Sequence, residues 1–275
     1  MTPPSPSPDA PSQRRRVAEV RREFDRKARH YESGRLATWY QAQGELVMAR
    51  LRGQGGPRTS RLLDVGCGTG WLLRRWAERG TGLRGVGVDL SPRMVGRAQD
   101  LARREGVRGL DFLAADWEEE GTDQAAMTCL EGSAQVVTCV SAFHYFSNPA
   151  QALRLMVGAL APGGTLLLLD RAVDQAPLTL VWDLVHRTVL ADHVRFHRTT
   201  DLRFLMEGAG LEDVRVAHRV RRLLWKGKLE TSLVLMEGRR PEEDPGGVRP
   251  GRPPSLGNQI GLDPARPGAE GARAW

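Results

Sequence analysis

Cysteine is scarce in this chain: Cys67, Cys129 and Cys139 are the three in 275 residues. They form no CxxC pair and no His-paired metal spacing, which excludes a disulfide-stapled secreted module; so sparse and odd a count reads as reduced thiols in a cytoplasmic protein. Long apolar runs are also missing. No stretch reaches the ~18 residues a membrane-crossing helix needs, so no membrane span is expected. The first thirteen residues hold prolines and serines in place of the apolar core of a secretory signal. Positive charge is thin where a nucleic-acid groove would need it. The formal net charge is +7, yet residues 1–35 carry nine Lys/Arg against five Asp/Glu, and residues 36–238 carry 25 against 23. The excess belongs to the N-terminal arm and an arginine-rich solvated surface, so no nucleic-acid partner is expected.

Both ends are poor in groups that can pack. Residues 1–13 contain five prolines, and residues 239–275 contain seven prolines and seven glycines with Trp275 the lone aromatic. Neither buries enough apolar surface to offset the entropy of ordering, so residues 1–16 and 239–275 are expected to be disordered tails around one domain, 17–238. Inside it, apolar runs alternate with amphipathic segments. Strands are expected at 61–65, 83–90, 110–114, 135–140 and 165–170, with helices at 71–79, at 92–104 behind Ser91-Pro92, and from Asn148-Pro149 to the Ala161-Pro162-Gly163-Gly164 stop. That alternation implies right-handed crossovers and a parallel sheet. Helices are also expected at 178–192 and 200–208. Strands at 213–217 and 231–237 have no convincing helix between them, so they should pair antiparallel at one edge, making seven strands in a doubly wound α/β domain.

The strongest local signal is Leu62-Leu63-Asp64-Val65-Gly66-Cys67-Gly68-Thr69-Gly70, a strand running into three glycines before a helix. Glycines let backbone approach a ligand without Cβ interference, and the helix start offers free N–H groups. The dinucleotide fingerprint wants a further glycine at position 71, where this chain has Trp71, and no Lys-Ser/Thr follows as a nucleotide-triphosphate loop requires. Asp64 beside the loop suits a ligand with a positive centre better than a pyrophosphate. Asp89 ends the second strand, about twenty residues on, where an acid accepts from ribose hydroxyls; NAD and an adenosyl group satisfy it equally. Asp116-Trp117 ends the third, with an acid for an adenine amino group and a ring to cover the base.

In this order, LLDVGCGTG (62–70), VGVDLSPRM (86–94), FLAADWE (112–118), VVTCVSAFHYF (136–146) and ALAPGGTLLLLD (159–170) resemble the class I S-adenosylmethionine-dependent methyltransferases. The branch of ubiquinone/menaquinone and biotin-pathway methyltransferases is the most similar, with 20–31 resembling its N-terminal helix. The resemblance implies a Rossmann-like methyltransferase fold and S-adenosylmethionine as cofactor. Asp64, Gly66, Cys67 and Gly68 would hold the methionine moiety, with Tyr31 near its amino-acid end; Asp89 the ribose; Leu90, Asp116 and Trp117 the adenine; Val140 and Ser141 would lie near the sulfonium. Gln135 departs from the Asp that many relatives carry. No (D/N)PPY, Pro-Cys nucleophile or double-glutamate loop is present, and no metal-binding aspartates are recognisable. The acceptor implied is therefore a small, partly apolar molecule rather than a macromolecular amino group.

Methyl transfer from a sulfonium needs alignment and dryness more than a base. If a base acts, His144 in SAFHYF is the candidate; structural packing under a lid is the other reading. His186, His193 and His197, spaced seven and four apart, lie with Trp182 and Phe196 in an insert, 171–200. No carboxylate or Cys completes a metal set with them, so no metal is expected; with the N-terminal helices 17–52 they form a half-apolar lid over the acceptor. Trp39 and Tyr40 either complete that wall or pack helix against core. A nicotinamide-dependent oxidoreductase and a binding protein without turnover are the competing functions. Acceptor identity, methylated atom and oligomeric state are not legible.

Overall fold

The crossover helices dictate parallel pairing, and the strands obey. In a computed structural model, which describes residues 10–53, 61–78, 83–130, 132–174, 195–220, 223–225, 228–230 and 232–242, β1 (Arg61–Val65), β2 (Arg84–Asp89), β3 (Leu110–Ala114), β4 (Ala134–Val140) and β5 (Leu160–Arg171) pair in parallel in the order β3-β2-β1-β4-β5. Next to β5 runs β9 (Leu233–Arg239), antiparallel, and outside it β6 (Glu212–Arg219), antiparallel to β9. The seven-stranded doubly wound sheet with an antiparallel edge pair is thus as expected. Strand order reverses between β1 and β4, which stay parallel, and at such a switch point the strand ends open a crevice.

Helices α3 (Trp71–Ala77), α4 (Pro92–Arg104), α5 (Thr122–Cys129), α6 (Pro149–Ala159) and α7 (Thr199–Gly208) follow β1 to β5 in turn, while α1 (Ala10–Lys27) and α2 (Gly34–Gly53) precede the sheet. Ser91 caps α4, its hydroxyl accepting from the Met94 N–H at 3.1 Å with Pro92 at the first position. On β5, Leu166 and Leu168 join one apolar cluster, while Leu167 and Leu169 join the other. Burial on both faces explains the unbroken apolar run, each leucine contributing roughly 1.5–3 kcal/mol.

Several expectations need correction. α1 starts at Ala10, so residues 10–16, expected within a tail, are helical: Pro11 sits in the first turn, where its missing N–H costs nothing, and the arginine run continues the helix toward Val17. α5 was not foreseen, because its short segment carries little periodicity. The Ala161-Pro162-Gly163-Gly164 turn lies inside β5 as a register irregularity against β4, with Gly163 at φ 72°. A two-stranded ribbon, β7 (Leu223–Trp225) and β8 (Lys228–Glu230), connects β6 to β9. Gln135 accepts from the Arg61 N–H at 3.2 Å, tying the start of β4 to β1. The expected helix at 178–192, with Trp182, His186 and His193, and the tail beyond 242 lie outside the described residues.

Candidate active site

The glycine loop is pinned to the neighbouring strand before any side chain is counted. Gly66 and Cys67 both donate N–H to the Val88 carbonyl, at 2.8 and 3.1 Å. Gly66 takes φ 75°, and a Cβ there would lie 2.3 Å from that of Ala142, so only glycine lets the loop pass under the end of β4. Asp89 then grips the loop: its Oδ2 accepts from Gly68 N–H at 2.8 Å and its Oδ1 from Ser91 N–H at 2.9 Å. Burial lifts its carboxyl to about 6, those two hydrogen bonds opposing the rise. Asp64 on β1 is buried and accepts from the Thr138 hydroxyl at 2.7 Å. Burial, with a smaller push from the Asp89 charge, raises it to about 7 against that bond. Asp116 accepts from Glu118 N–H at 3.0 Å and is also raised by burial. Trp117 is buried and donates its indole N–H to the Ala152 carbonyl at 3.0 Å.

Over this floor lies α1. Its Asp25 accepts from the Ser91 hydroxyl at 2.6 Å, and Phe24 meets the Tyr145 ring edge-on at 5.2 Å. Tyr31, in the turn beyond, brings its ring 3.5 Å from where a Gly68 Cβ would stand and stacks on Tyr40 at 4.7 Å. Burial, then Tyr40 and Asp89, hold its hydroxyl well above the usual range. Glu32 accepts from the Thr69 hydroxyl and pairs with Arg74, whose side chain is wholly buried and also pairs with Glu105.

Two cavities flank the loop. The larger, about 750 Å³ including its open mouth, is lined by Asp89, Leu90, Asp116, Trp117 and Ser141 below and by Val17, Val20 and Phe24 above. The smaller, about 540 Å³ including its mouth, holds Asp64, Cys67, Glu32, Tyr40 and Trp71. Tyr31, Gly66, Gly68 and Val140 border both. Every residue expected at the cofactor therefore lines one or the other. Among the described residues neither lining contains a Lys or Arg, and no cation pairs with Asp64 or Asp89. Such a field opposes a pyrophosphate and favours a ligand carrying positive charge. Asp64, buried with the Thr138 hydroxyl as its only hydrogen-bond partner among the described residues, fits an ammonium or sulfonium compound, and the Cβ-free loop fits close backbone approach. No group of three metal-ligating side chains occurs among the described residues.

The acceptor side is less uniform. Ser141, at the tip of β4, takes φ 50° and donates its hydroxyl to the buried Gln43 amide oxygen of α2. His144 is buried, its Nδ1 2.8 Å from Asp170 at the end of β5. It lines neither cavity, although Ala142, Tyr145 and Phe146 around it line the larger one. His197 packs on the Phe143 ring at 5.4 Å, and burial lowers its pKa; it too is outside both linings. Trp39 is in the core with the Arg171 guanidinium 5.3 Å over its ring, whereas Tyr40 reaches the smaller cavity. Sequence reasoning missed Phe24, Glu32, Gln43, Arg74 and Asp170. Only Asp170 had a readable signal, as a fourth acid at a strand end.

Together, the sheet order and the acid-lined crevice define a nucleoside-binding α/β fold of the kind that holds a cationic ligand. A methyltransferase domain family model matches residues 28–216 of the 275. The chain belongs to that methyltransferase domain family. Curated relatives include the ubiquinone biosynthesis O-methyltransferase of Acinetobacter baumannii (strain AYE), 32% identical over 110 residues, 40% of this chain and 43% of the relative. The enzyme of the same name from Aeromonas salmonicida (strain A449) is 26% identical over 165 residues, 57% of this chain and 65% of that one. The chain thus spans under half the length of the first relative. Among solved structures, the magnesium protoporphyrin IX methyltransferase of Synechocystis PCC 6803 with bound S-adenosylhomocysteine aligns with TM-score 0.60 at 20% identity, covering 82% of this chain and 99% of that one. The YcgJ protein of Bacillus subtilis aligns with TM-score 0.59 at 18% identity, covering 74% and 100%. At such identities these two support the fold. Among the described residues no helix is long and apolar enough to cross a membrane.

Proposed function

We propose that the protein transfers a methyl group from S-adenosylmethionine to a small, partly apolar acceptor. The observation that carries this reading is the pair of cavities straddling one glycine loop, rich in carboxylates and, among the described residues, without a basic side chain. S-adenosylmethionine supplies a methyl group on a positively charged sulfur. In this reading Asp89 accepts from the ribose hydroxyls, Leu90 and Trp117 enclose the adenine and Asp116 accepts from its amino group. Asp64, Gly66, Cys67, Gly68 and Tyr31 hold the amino-acid end, while Val140 and Ser141 face the reacting sulfur. Catalysis then rests on alignment and on the exclusion of water beneath α1 and Tyr31. Relatives named for O-methylation in ubiquinone biosynthesis support an aromatic or otherwise apolar acceptor. Tyr40 contributes to its wall, with Trp39 and His197 packed behind it. The three thiols are free of disulfides, in keeping with a cytoplasmic location.

Calorimetry on the full chain tests the reading. S-adenosylhomocysteine is expected to bind with a micromolar dissociation constant and NADH not at all. Binding of NADH alone would replace this function with nicotinamide chemistry. Release of S-adenosylhomocysteine across a panel of quinols, phenols, acids and amines then separates turnover from binding alone.

A further inference from the structure

Helix α1 has two faces of opposite character. Val17, Val20 and Phe24, spaced by three and four, turn inward and line the larger cavity. Outward, Arg14, Arg15, Arg16, Arg21, Arg22 and Arg26 are all exposed. The three acids of α1, Glu19, Glu23 and Asp25, are each partly buried. Glu19 pairs with Arg15 and Glu23 with Lys27, while Asp25 accepts from the Ser91 hydroxyl and the Arg93 N–H at the start of α4. The exposed charge of this helix is therefore of one sign. Arg29 in the next turn and Arg93 beside Asp25 are exposed too and enlarge the face. Of these eight arginines, Arg15 alone has an ion-pair partner among the described residues. Such sorting is not general in this arginine-rich chain, since α7 exposes Arg203, Phe204 and Glu207 together.

We propose that the outer face of α1 docks the protein on an anionic phospholipid surface. Guanidinium forks match phosphate oxygens in pairs, and α1 presents them along a length of about 27 Å. Lipid surfaces and nucleic acids both offer phosphates, and the make-up of the face chooses between them. Phe24, the one aromatic of α1, belongs to the cavity side, so the outer side has no ring to stack on a base. A bilayer needs none; a helix with a basic face and an apolar face is the form that lies along it. The bilayer also concentrates small apolar molecules, and the docked helix is the roof of a site read as taking one. In this arrangement the arginines meet lipid phosphates while Val17, Val20 and Phe24 stay over the cavity. Attachment is electrostatic and reversible, each arginine adding roughly fivefold to partitioning. Docking goes beyond methyl transfer and does not depend on it. A face that serves solubility alone would show the same arginines, so the test must separate docking from net charge.

The experiment sediments the full chain with vesicles of phosphatidylcholine alone or with about one-third phosphatidylglycerol, at about 0.1 M salt. The mixed vesicles should bind it at least about 30-fold more tightly, and about 0.5 M salt should release it. Arg15, Arg22 and Arg26 recur at seven and four and form one outward stripe. Changing all three to Gln should weaken binding to mixed vesicles about 100-fold. Changing all three to Lys keeps the charge and should hold binding within about threefold. Arg103, Arg104 and Arg203 are exposed on other helices, and their change to Gln removes the same charge and should cost less than about threefold. Equal urea midpoints in the variants show that a loss is not unfolding. No binding to mixed vesicles overturns the proposal, as do equal losses in the two Gln variants. Tighter binding to a mixed-sequence duplex of about 20 base pairs than to the vesicles overturns it in favour of nucleic acid. Calorimetry with S-adenosylhomocysteine decides the methyl-transfer reading separately.

Discussion

The floor of the larger cavity and its roof are made in opposite ways. The floor consists of strand ends: Gly66 and Gly68, Asp89 two residues before the Ser91 cap of α4, Asp116 just past β3, each held by a hydrogen bond from a backbone N–H, within its own turn or to the adjacent strand. The roof is α1 and the turn carrying Tyr31, and it reaches the floor through side-chain pairs far apart in sequence: Asp25 to Ser91, Glu32 to Arg74 and Thr69, Phe24 to Tyr145. A floor of this kind is rigid because the sheet fixes it. A roof of that kind is only as firm as a few contacts, and it can open without disturbing the strands. That contrast predicts ligand entry at the roof and ligand recognition on the floor.

Arg74 is the place where that division is tested hardest. Its side chain is wholly buried, between carboxylates that keep 20% and 26% of their surface. Arg74→Met should cost about 3 kcal/mol in urea unfolding, as removing one partner from a buried ion cluster does. It should also weaken S-adenosylhomocysteine roughly tenfold by freeing Glu32 and with it Tyr31. Full affinity in a destabilised protein would show that the roof is held elsewhere. Next in size is Asp89→Ala, for which calorimetry should find about a 100-fold loss of affinity, the worth of one to two charged hydrogen bonds. Phe24→Ala, on the roof, should lose no more than about tenfold. If the two losses are equal, floor and roof share recognition and the distinction falls.

The same contrast explains what could be read beforehand. Asp64, Asp89 and Asp116 declare themselves because a strand, a glycine or a cap beside each gives it a position, and strand ends of an α/β sheet face the ligand. Glu32 and Arg74 declare nothing: each is a charged residue on a helical or turn segment, and only the fold shows that 42 residues of chain bring them together. Gln43 is equally silent, since a polar residue within α2 carries no sign that it will be buried against Ser141. Asp170 was open to the strand-end argument, but its run of four leucines reads first as core. Periodicity also misplaced the start of β5, because Pro162 and Gly163 look like a stop when a bulge can absorb them.

The smallest expected effect belongs to pH, and it is confined to the floor. Folding raises Asp64 to about 7 and Asp89 to about 6 from an ordinary 3.8, in both cases chiefly by burial. A carboxyl raised in the folded state keeps a proton that the unfolded chain has released. Its contribution to stability is therefore complete below about pH 4 and is lost as pH rises toward 6 to 7. A bound ammonium reverses the preference by favouring the ionised form, so binding must expel a proton wherever the free site still holds one. Affinity for S-adenosylhomocysteine should accordingly fall about tenfold from pH 7.5 to 6 and level off above 7.5. Proton release should appear as a dependence of the binding heat on buffer ionisation enthalpy. Asp64→Asn should flatten most of that slope while Phe24→Ala keeps it. A slope that survives in Asp64→Asn assigns the proton to Asp89, whose carboxylate already holds the loop through Gly68 N–H and would then couple loop closure to the same titration.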